Sequence, residues 1–349
     1  MRAPDSLTFR RSAVATGALL AAFALALTGC SPPADTPGAS AEPQPEEETL
    51  QIAYMSFAVA NTYDEPMLAA AMEVAAANNA EITVFDANND PQAQFSQLQD
   101  VITSGQYDGV ITQPIFGPAL IEVVDQAIAA GLTVVNIDQI LGEDLSTGEP
   151  QVEGLSANVT FIPTELGRKL GEQTVAACES QSLDPCNVAY MYDIKASALD
   201  VAIQQAFTEA TAGSAVTIVA EGESFFNPAN ALTVVQDWLT ANPDLDLIVA
   251  SDQGLQGADQ ALSAAGREGD LLLVGFGGSE VAVEAVSSGR WFADIAQAPA
   301  SEGRLGMEAL IQALRDGTNA GAIDPFADFP NDGVITQDTA DQFTAEWPG

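Results

Sequence analysis

Residues 271–299 read LLLVGFGGSEVAVEAVSSGRWFADIAQAP. Leu271, Leu272, Leu273 and Val274 open the stretch with an uninterrupted apolar run, the composition of a strand buried on both faces. Gly275-Phe276-Gly277-Gly278-Ser279 follows, a turn in which backbone can approach a ligand and one aromatic ring is left at the mouth. Residues 280–288 place Val281, Ala282, Ala285 and Val286 on one side of a helix that Gly289 ends, and residues 291–297 read as a second strand stopping at Pro299. Strand, tip, helix and strand make one βαβ unit. Ligands of open parallel sheets sit beyond the carboxyl ends of the strands, so Phe276 and Gln297 are expected to face a small molecule.

The same rhythm extends outward. Strands are expected at 50–56, 82–85, 109–112 and 132–137, separated by helices at 67–77, 92–103 and 119–130. Strict β-α alternation with short strands predicts a doubly wound parallel sheet. Residues 140–152 are turn-rich and break the pattern. It restarts with helices at 164–177, 196–212, 230–239 and 254–265 and strands at 188–192, 216–220, 247–250 and 271–275. Two α/β lobes follow, and a helix at 301–314 is expected to return to the first.

The N-terminus reads as an address. Arg10-Arg11 is a positive n-region, and residues 14–27 form an apolar run too short to span a bilayer. Leu27-Thr28-Gly29-Cys30 resembles the cleavage site of bacterial lipoproteins, which implies lipidation of Cys30 and attachment to the outer face of the cell membrane. The paired arginines leave open export by the general or the twin-arginine route. The following segment, rich in Pro, Ala, Glu and Ser, reads as a flexible tether.

From Cys30 onward the chain keeps 7 of its 10 Lys/Arg and 48 of its 49 Asp/Glu, a formal charge of −41, 7 against 48. Such a chain is a poor partner for nucleic acid, whose phosphates need Lys or Arg, and a well-solvated surface is the simplest reading, with adaptation to high salt the other. Cys178 and Cys186 remain as a pair around a short loop, and an oxidising compartment makes a disulfide the natural expectation. Two Cys in a chain without His make a poor zinc site. No metal and no cofactor are expected.

The strand ends carry the candidate chemistry: Asn61 and Tyr63 after the first, Gln113 after the third, Asp138 and Gln139 after the fourth. In the second lobe they are Phe225 and Phe226, Ser251 and Asp252, Phe276 and Gly277, and Gln297. Amides and carboxylates exchange hydrogen bonds with hydroxyls, and aromatic faces attract polarised C–H groups. A neutral polyhydroxylated ligand between the lobes fits this set. Each position also has a plainer reading: Asp252 as a helix cap, one of Phe225 and Phe226 as core, Gln297 as hinge, Lys195 as a solvated charge. Enzyme signatures are lacking: without His there is no His-dependent triad, and no nucleophile-elbow or phosphate-loop run occurs. Residues 86–97 imitate an EF-hand loop, but Pro91 and Gln97 stand where Gly and Glu are required.

These residues resemble the periplasmic-type sugar-binding proteins of ABC importers, in their ribose-binding-like branch, over about residues 50–317. The resemblance is carried by Leu273-Val-Gly-Phe-Gly-Gly, by Asp294-Ile-Ala-Gln-Ala-Pro, by Asn61-Thr-Tyr63, and by the helix-Asn242-Pro243-Asp244-strand pattern. It implies two Rossmann-like lobes joined by three hinge strands and closing on one sugar, with ligand positions Asn61, Tyr63, Gln113, Asp138, Phe226, Ser251, Gly277 and Gln297. It also implies a binding protein rather than an enzyme, monomeric, delivering its sugar or polyol to ABC permease subunits; a sensor reading, in which a membrane receptor or kinase reads the closed form, is the alternative. Three positions depart from the family: Gln139 stands for an Arg, no Arg occurs at 196–205, and Gly277 replaces an Asp. Those losses point away from ribose itself and from an anionic ligand. The expected division is a signal peptide at 1–29, a tether at 30–48, one lobe from 49–160 with 298–327, and a second from 161–297 with 328–349.

Overall fold

The computed structural model describes residues 48–349; the leader, Cys30 and nearly all of the tether lie outside the described residues. The chain alternates through β1 (Leu50–Ser56), α1 (Asp64–Ala77), β2 (Ala80–Asp86), α2 (Pro91–Ser104), β3 (Gly109–Thr112), α3 (Gly117–Ala129), β4 (Thr133–Asp138) and β5 (Ala157–Thr160). It continues through α4 (Pro163–Ser180), β6 (Cys186–Tyr192), α5 (Ala198–Thr211), β7 (Val216–Glu223), α6 (Pro228–Ala241) and β8 (Leu247–Ser251). After these come α7 (Asp252–Ala265), β9 (Leu272–Gly277), α8 (Glu280–Ser287), β10 (Ala293–Ala296), α9 (Pro299–Asp316), β11 (Gly321–Ile323) and β12 (Val334–Thr336).

Two six-stranded sheets result, ordered β11-β5-β4-β3-β1-β2 and β12-β10-β9-β8-β6-β7. All strand pairs are parallel except β10 with β12. The expected class, two Rossmann-like lobes, is therefore the observed one. The chain passes between the sheets three times: from β5 into α4, from β10 into α9, and from β11 to β12. In each sheet the strand order reverses beside a central strand, β1 or β6, which opens a crevice at the carboxyl ends.

Both central strands are buried on two faces, as their apolar runs require. Along β1, Ile52 and Tyr54 pack with Met67 and Ala71 of α1 and Met307 and Leu310 of α9. Ala53 and Met55 face Leu98 of α2 and Val123 of α3. Along β6, Ala189 and Met191 meet Val235 of α6 and Leu255 of α7, while Val188 and Tyr190 meet Leu170 of α4 and Phe207 of α5. The helix α9 does return to the first lobe; a Cβ on its Gly303 would lie 1.9 Å from the Met67 carbonyl oxygen, so α1 and α9 touch backbone to backbone.

Helix starts follow local chemistry. Asp90, Ser197, Asn227, Ser251 and Ser279 cap α2, α5, α6, α7 and α8 with their side chains. Pro299, expected to stop a strand, instead occupies the first turn of α9, where its missing N–H is harmless. Strands β5, β11 and β12 are not legible in the sequence. They are three or four residues long, and β5 carries Asn158, whose Oδ1 accepts from Asn136 Nδ2 at 2.7 Å. Cys178, near the end of α4, and Cys186, opening β6, have their Sγ atoms 2.11 Å apart.

Candidate functional site

A cleft lies between the lobes at the carboxyl ends of the strands. Phe57, Asn61, Tyr63, Asp64, Asp138 and Gln139 line it from the first lobe, and Phe161 from the first crossing. Leu199, Phe226, Ser251, Asp252, Gln253, Phe276, Gly277 and Gln297 line it from the second, with Trp347 from the C-terminal tail. All the sequence-derived candidates except Gln113 and Phe225 reach the wall.

Gln113 is displaced for a definite reason. It is 1% exposed and lies behind the wall. Its Oε1 accepts from the Phe57 N–H at 3.1 Å, which turns the amide nitrogen toward two carboxylates. That nitrogen donates to Asp64 and, at 3.2 Å, to Asp138 Oδ2. Gln113 thus joins the two acids rather than meeting a ligand. Asp138 ends β4 with φ of 67°, a left-handed conformation that costs a non-glycine residue about 1–3 kcal/mol and marks a position held by its surroundings.

The two acids are both 5% exposed. Burial, then the neighbouring charge of Asp138, pushes Asp64 up to about 8, with Gln113 partly opposing. Burial pushes Asp138 up to about 7, again opposed by Gln113. Behind them Glu302, fully buried in the first turn of α9, is pushed well up by burial and by the charge of Asp138. Desolvation disfavours the ionised form, and only a cation or several donors would restore it.

In the second lobe the acids serve the architecture. Asp193 Oδ1 accepts from Ser224 Oγ and, at 2.7 Å, from Ser251 Oγ. Ser251 also caps α7, so its hydroxyl is already engaged. Asp252 Oδ2 accepts from the Ser279 N–H at 2.8 Å. Its neighbour Asp294 is pushed well up by burial and by the charge of Asp252, and accepts from the Gly278 N–H at 2.8 Å. Asp252 is therefore first a clamp on the turn after β9. The Phe225-Phe226 pair also departs from expectation. Both residues have φ above 50°, and neither is core: Phe225 is 56% exposed and Phe226 lines the cleft. Lys195 sits on the surface, paired with Glu221 at 2.7 Å.

The tail residue Trp347 has no counterpart among the sequence candidates. Its indole N–H donates to the Gly277 carbonyl at 2.6 Å, and its ring meets Tyr63 edge-on with centroids 5.4 Å apart. Beside it Glu346 accepts from the Ser301 N–H and Oγ at 2.7 and 2.6 Å. The tail therefore touches both lobes. It also accounts for Gly277: with φ of 146°, a Cβ there would fall 2.5 Å from the Asp252 carboxyl carbon and 2.8 Å from the Trp347 ring. Phe57, Asp64, Phe161, Leu199 and Gln253 were likewise missed. Asp64 and Gln253 directly follow candidates, and adjacency was the signal available for them.

A profile described as the periplasmic binding protein domain matches residues 52–319. The chain belongs to this periplasmic binding protein family. The binding protein is 26% identical over 235 residues to the ribose import binding protein of Bacillus subtilis (strain 168), covering 67% of this chain and 72% of that one. It is 27% identical over 251 residues to the D-allose-binding periplasmic protein of Escherichia coli (strain K12), covering 68% and 76%. Among solved structures, an ABC transporter solute binding protein from Bacillus halodurans C-125 with bound myo-inositol matches with a TM-score of 0.74 at 18% identity, over 87% of this chain and 100% of that one. One from Mycobacterium smegmatis with bound glycerol matches at 0.72 and 23%, over 86% and 100%. These structural likenesses are likenesses of fold. Among the described residues no cluster of three or more side chains suited to a metal occurs, and no helix is long and apolar enough to cross a membrane.

Proposed function

We propose that this periplasmic binding protein captures a sugar or polyol between its lobes and presents the closed form to an ABC importer. One observation carries the reading. The cleft combines aromatic rings from both lobes with buried hydrogen-bonding side chains, as recognition of a ring bearing hydroxyls on its edge and C–H groups on its faces requires. Ligand contacts are assigned to Asn61, Tyr63, Asp138, Gln139, Phe226, Phe276 and Gln297, with Ser251, Asp252 and Gly277 shaping the far wall and Gln113 positioning Asp138. The lobes, taken as 49–160 with 298–327 and 161–297 with 328–349, close because a ligand touching both stabilises the closed population. Cys30 carries the lipid that holds the protein at the outer face of the membrane, and Cys178–Cys186 is a disulfide.

The test is calorimetry on the mature protein against a panel of pentoses, hexoses and inositols. Saturable one-to-one binding of a panel member is expected. A panel without binding would remove the sugar-or-polyol reading.

A further inference from the structure

We propose that the ligand is a polyhydroxylated amine, an amino sugar or aminocyclitol whose protonated nitrogen sits between Asp64 and Asp138. The inference rests on the sugar-or-polyol reading above and narrows it: sequence alone suggested a neutral ligand, and the geometry of the floor adds a charge.

Four observations converge. First, Asp64 and Asp138 share the Gln113 amide nitrogen as a neutral donor, oriented by the Phe57 N–H bond, and a backbone hydrogen bond from Ala58 reaches Asp64 alone. Two buried carboxylates thus line one wall with only neutral donors beside them, and a counter-charge must come from the ligand. Second, the wall contains no cation to supply it. The chain has no His, and the basic side chains of the described body are engaged elsewhere. Arg168 pairs with Glu165 and Glu172, Lys169 with Asp332, and Lys195 with Glu221. Arg267, Arg290 and Arg304 pair with Asp270, Asp259 and Glu308, and Arg315 donates to the Asn78 carbonyl.

Third, Gln297, 6% exposed and on the opposite wall, has an Oε1 with no hydrogen-bond partner. A buried acceptor without a donor is costly, so this wall too asks the ligand for N–H or O–H groups. Fourth, the aromatic side chains of Tyr63, Trp347 and Phe226 line the same space, and a cation seated over an aromatic face is attracted to it where a neutral group is not. An ammonium answers all of these together: it donates several N–H bonds and restores the charged form of both acids by charge-assisted hydrogen bonding. A neutral sugar brings no charge to either carboxylate.

The experiment is isothermal calorimetry on the full chain in detergent with matched probes. D-Glucosamine is compared with D-glucose and N-acetyl-D-glucosamine, D-galactosamine with its two counterparts, and an aminodeoxyinositol with myo-inositol. At least one amine is expected to bind about tenfold or more tightly than its hydroxyl counterpart, with acetylation abolishing the advantage. In D64N and D138N the amine-to-hydroxyl ratio falls toward one. Should either variant fail to fold, the acetylation pair on the unaltered protein decides alone. Neutral probes binding as well as or better than their amines would overturn the inference while leaving the sugar-or-polyol reading intact. Absence of saturable binding across the whole set would overturn both together.

Discussion

Asp64→Asn isolates the electrostatic cost of the cleft floor. Asp64 is 5% exposed, and its carboxyl is pushed from 3.8 to about 8, chiefly by burial. Because the folded value lies above the unfolded one, the folded state holds the extra proton between those limits. The contribution is then fully present below about pH 4 and is lost as pH rises through about 8. The loss runs at about 1.4 kcal/mol per pH unit, or about 4 kcal/mol between pH 5 and 8. Asparagine has nearly the same shape and keeps an acceptor for the Gln113 amide, but it does not titrate. The groups facing Asp64 are Asp138, Asp86, Tyr54, Tyr63 and Glu302. They are present in both proteins and cancel to first order in the difference. Urea unfolding of the ligand-free parent and variant at unit intervals from pH 5 to 9 reads it directly. The variant should be within about 1 kcal/mol of the parent at pH 5, gain steadily to pH 8 and level off above it. A stability difference that stays flat from pH 5 to 8 would refute the assignment of Asp64 as a buried, uncompensated acid.

Trp347→Phe keeps a ring against Tyr63 but removes the N–H bond to Gly277. Trp238 and Trp291 lie in the second-lobe core, so the fluorescence change on adding a ligand should vanish in the variant, and a persistent change would take Trp347 out of the cleft. Gly277→Asp, which restores the residue usual in the resembled family, should cost about 2–4 kcal/mol through backbone strain and collision with Asp252 and Trp347; thermal unfolding at or above the parental midpoint would contradict this. Asp138→Ala should weaken binding of the ligand found in the screen by about 1–3 kcal/mol by leaving a ligand group unpaired, read by calorimetry. Cys30→Ser should move the protein from the membrane to the soluble fraction, and thiol titration of the unreduced, unfolded variant should find no free thiol; two thiols would argue against the Cys178–Cys186 bond.

The lobes were legible because buried parallel strands need apolar runs, and those runs recur with helical stripes between them. Residues 271–299 announced β9, α8 and β10 for that reason, and the polar residues at the strand ends were legible because the carboxyl ends of such sheets are where ligands meet backbone. The chain's own chemistry also settled the charge, the absence of His and the missing arginines at the cleft. Other features depend on approach between distant segments, which no local pattern records. Gln113 looked like a contact until the Phe57 N–H turned its amide toward Asp64 and Asp138. Asp252 reads in the sequence as a contact or a helix cap, and the fold sets its carboxylate against the Ser279 N–H instead. Gly277 looked like a lost ligand until Trp347, 70 residues later, filled its place. The raised pKa of Asp64 has the same origin: it is buried in the fold, and Asp138 and Gln113, distant in sequence, come beside it only there.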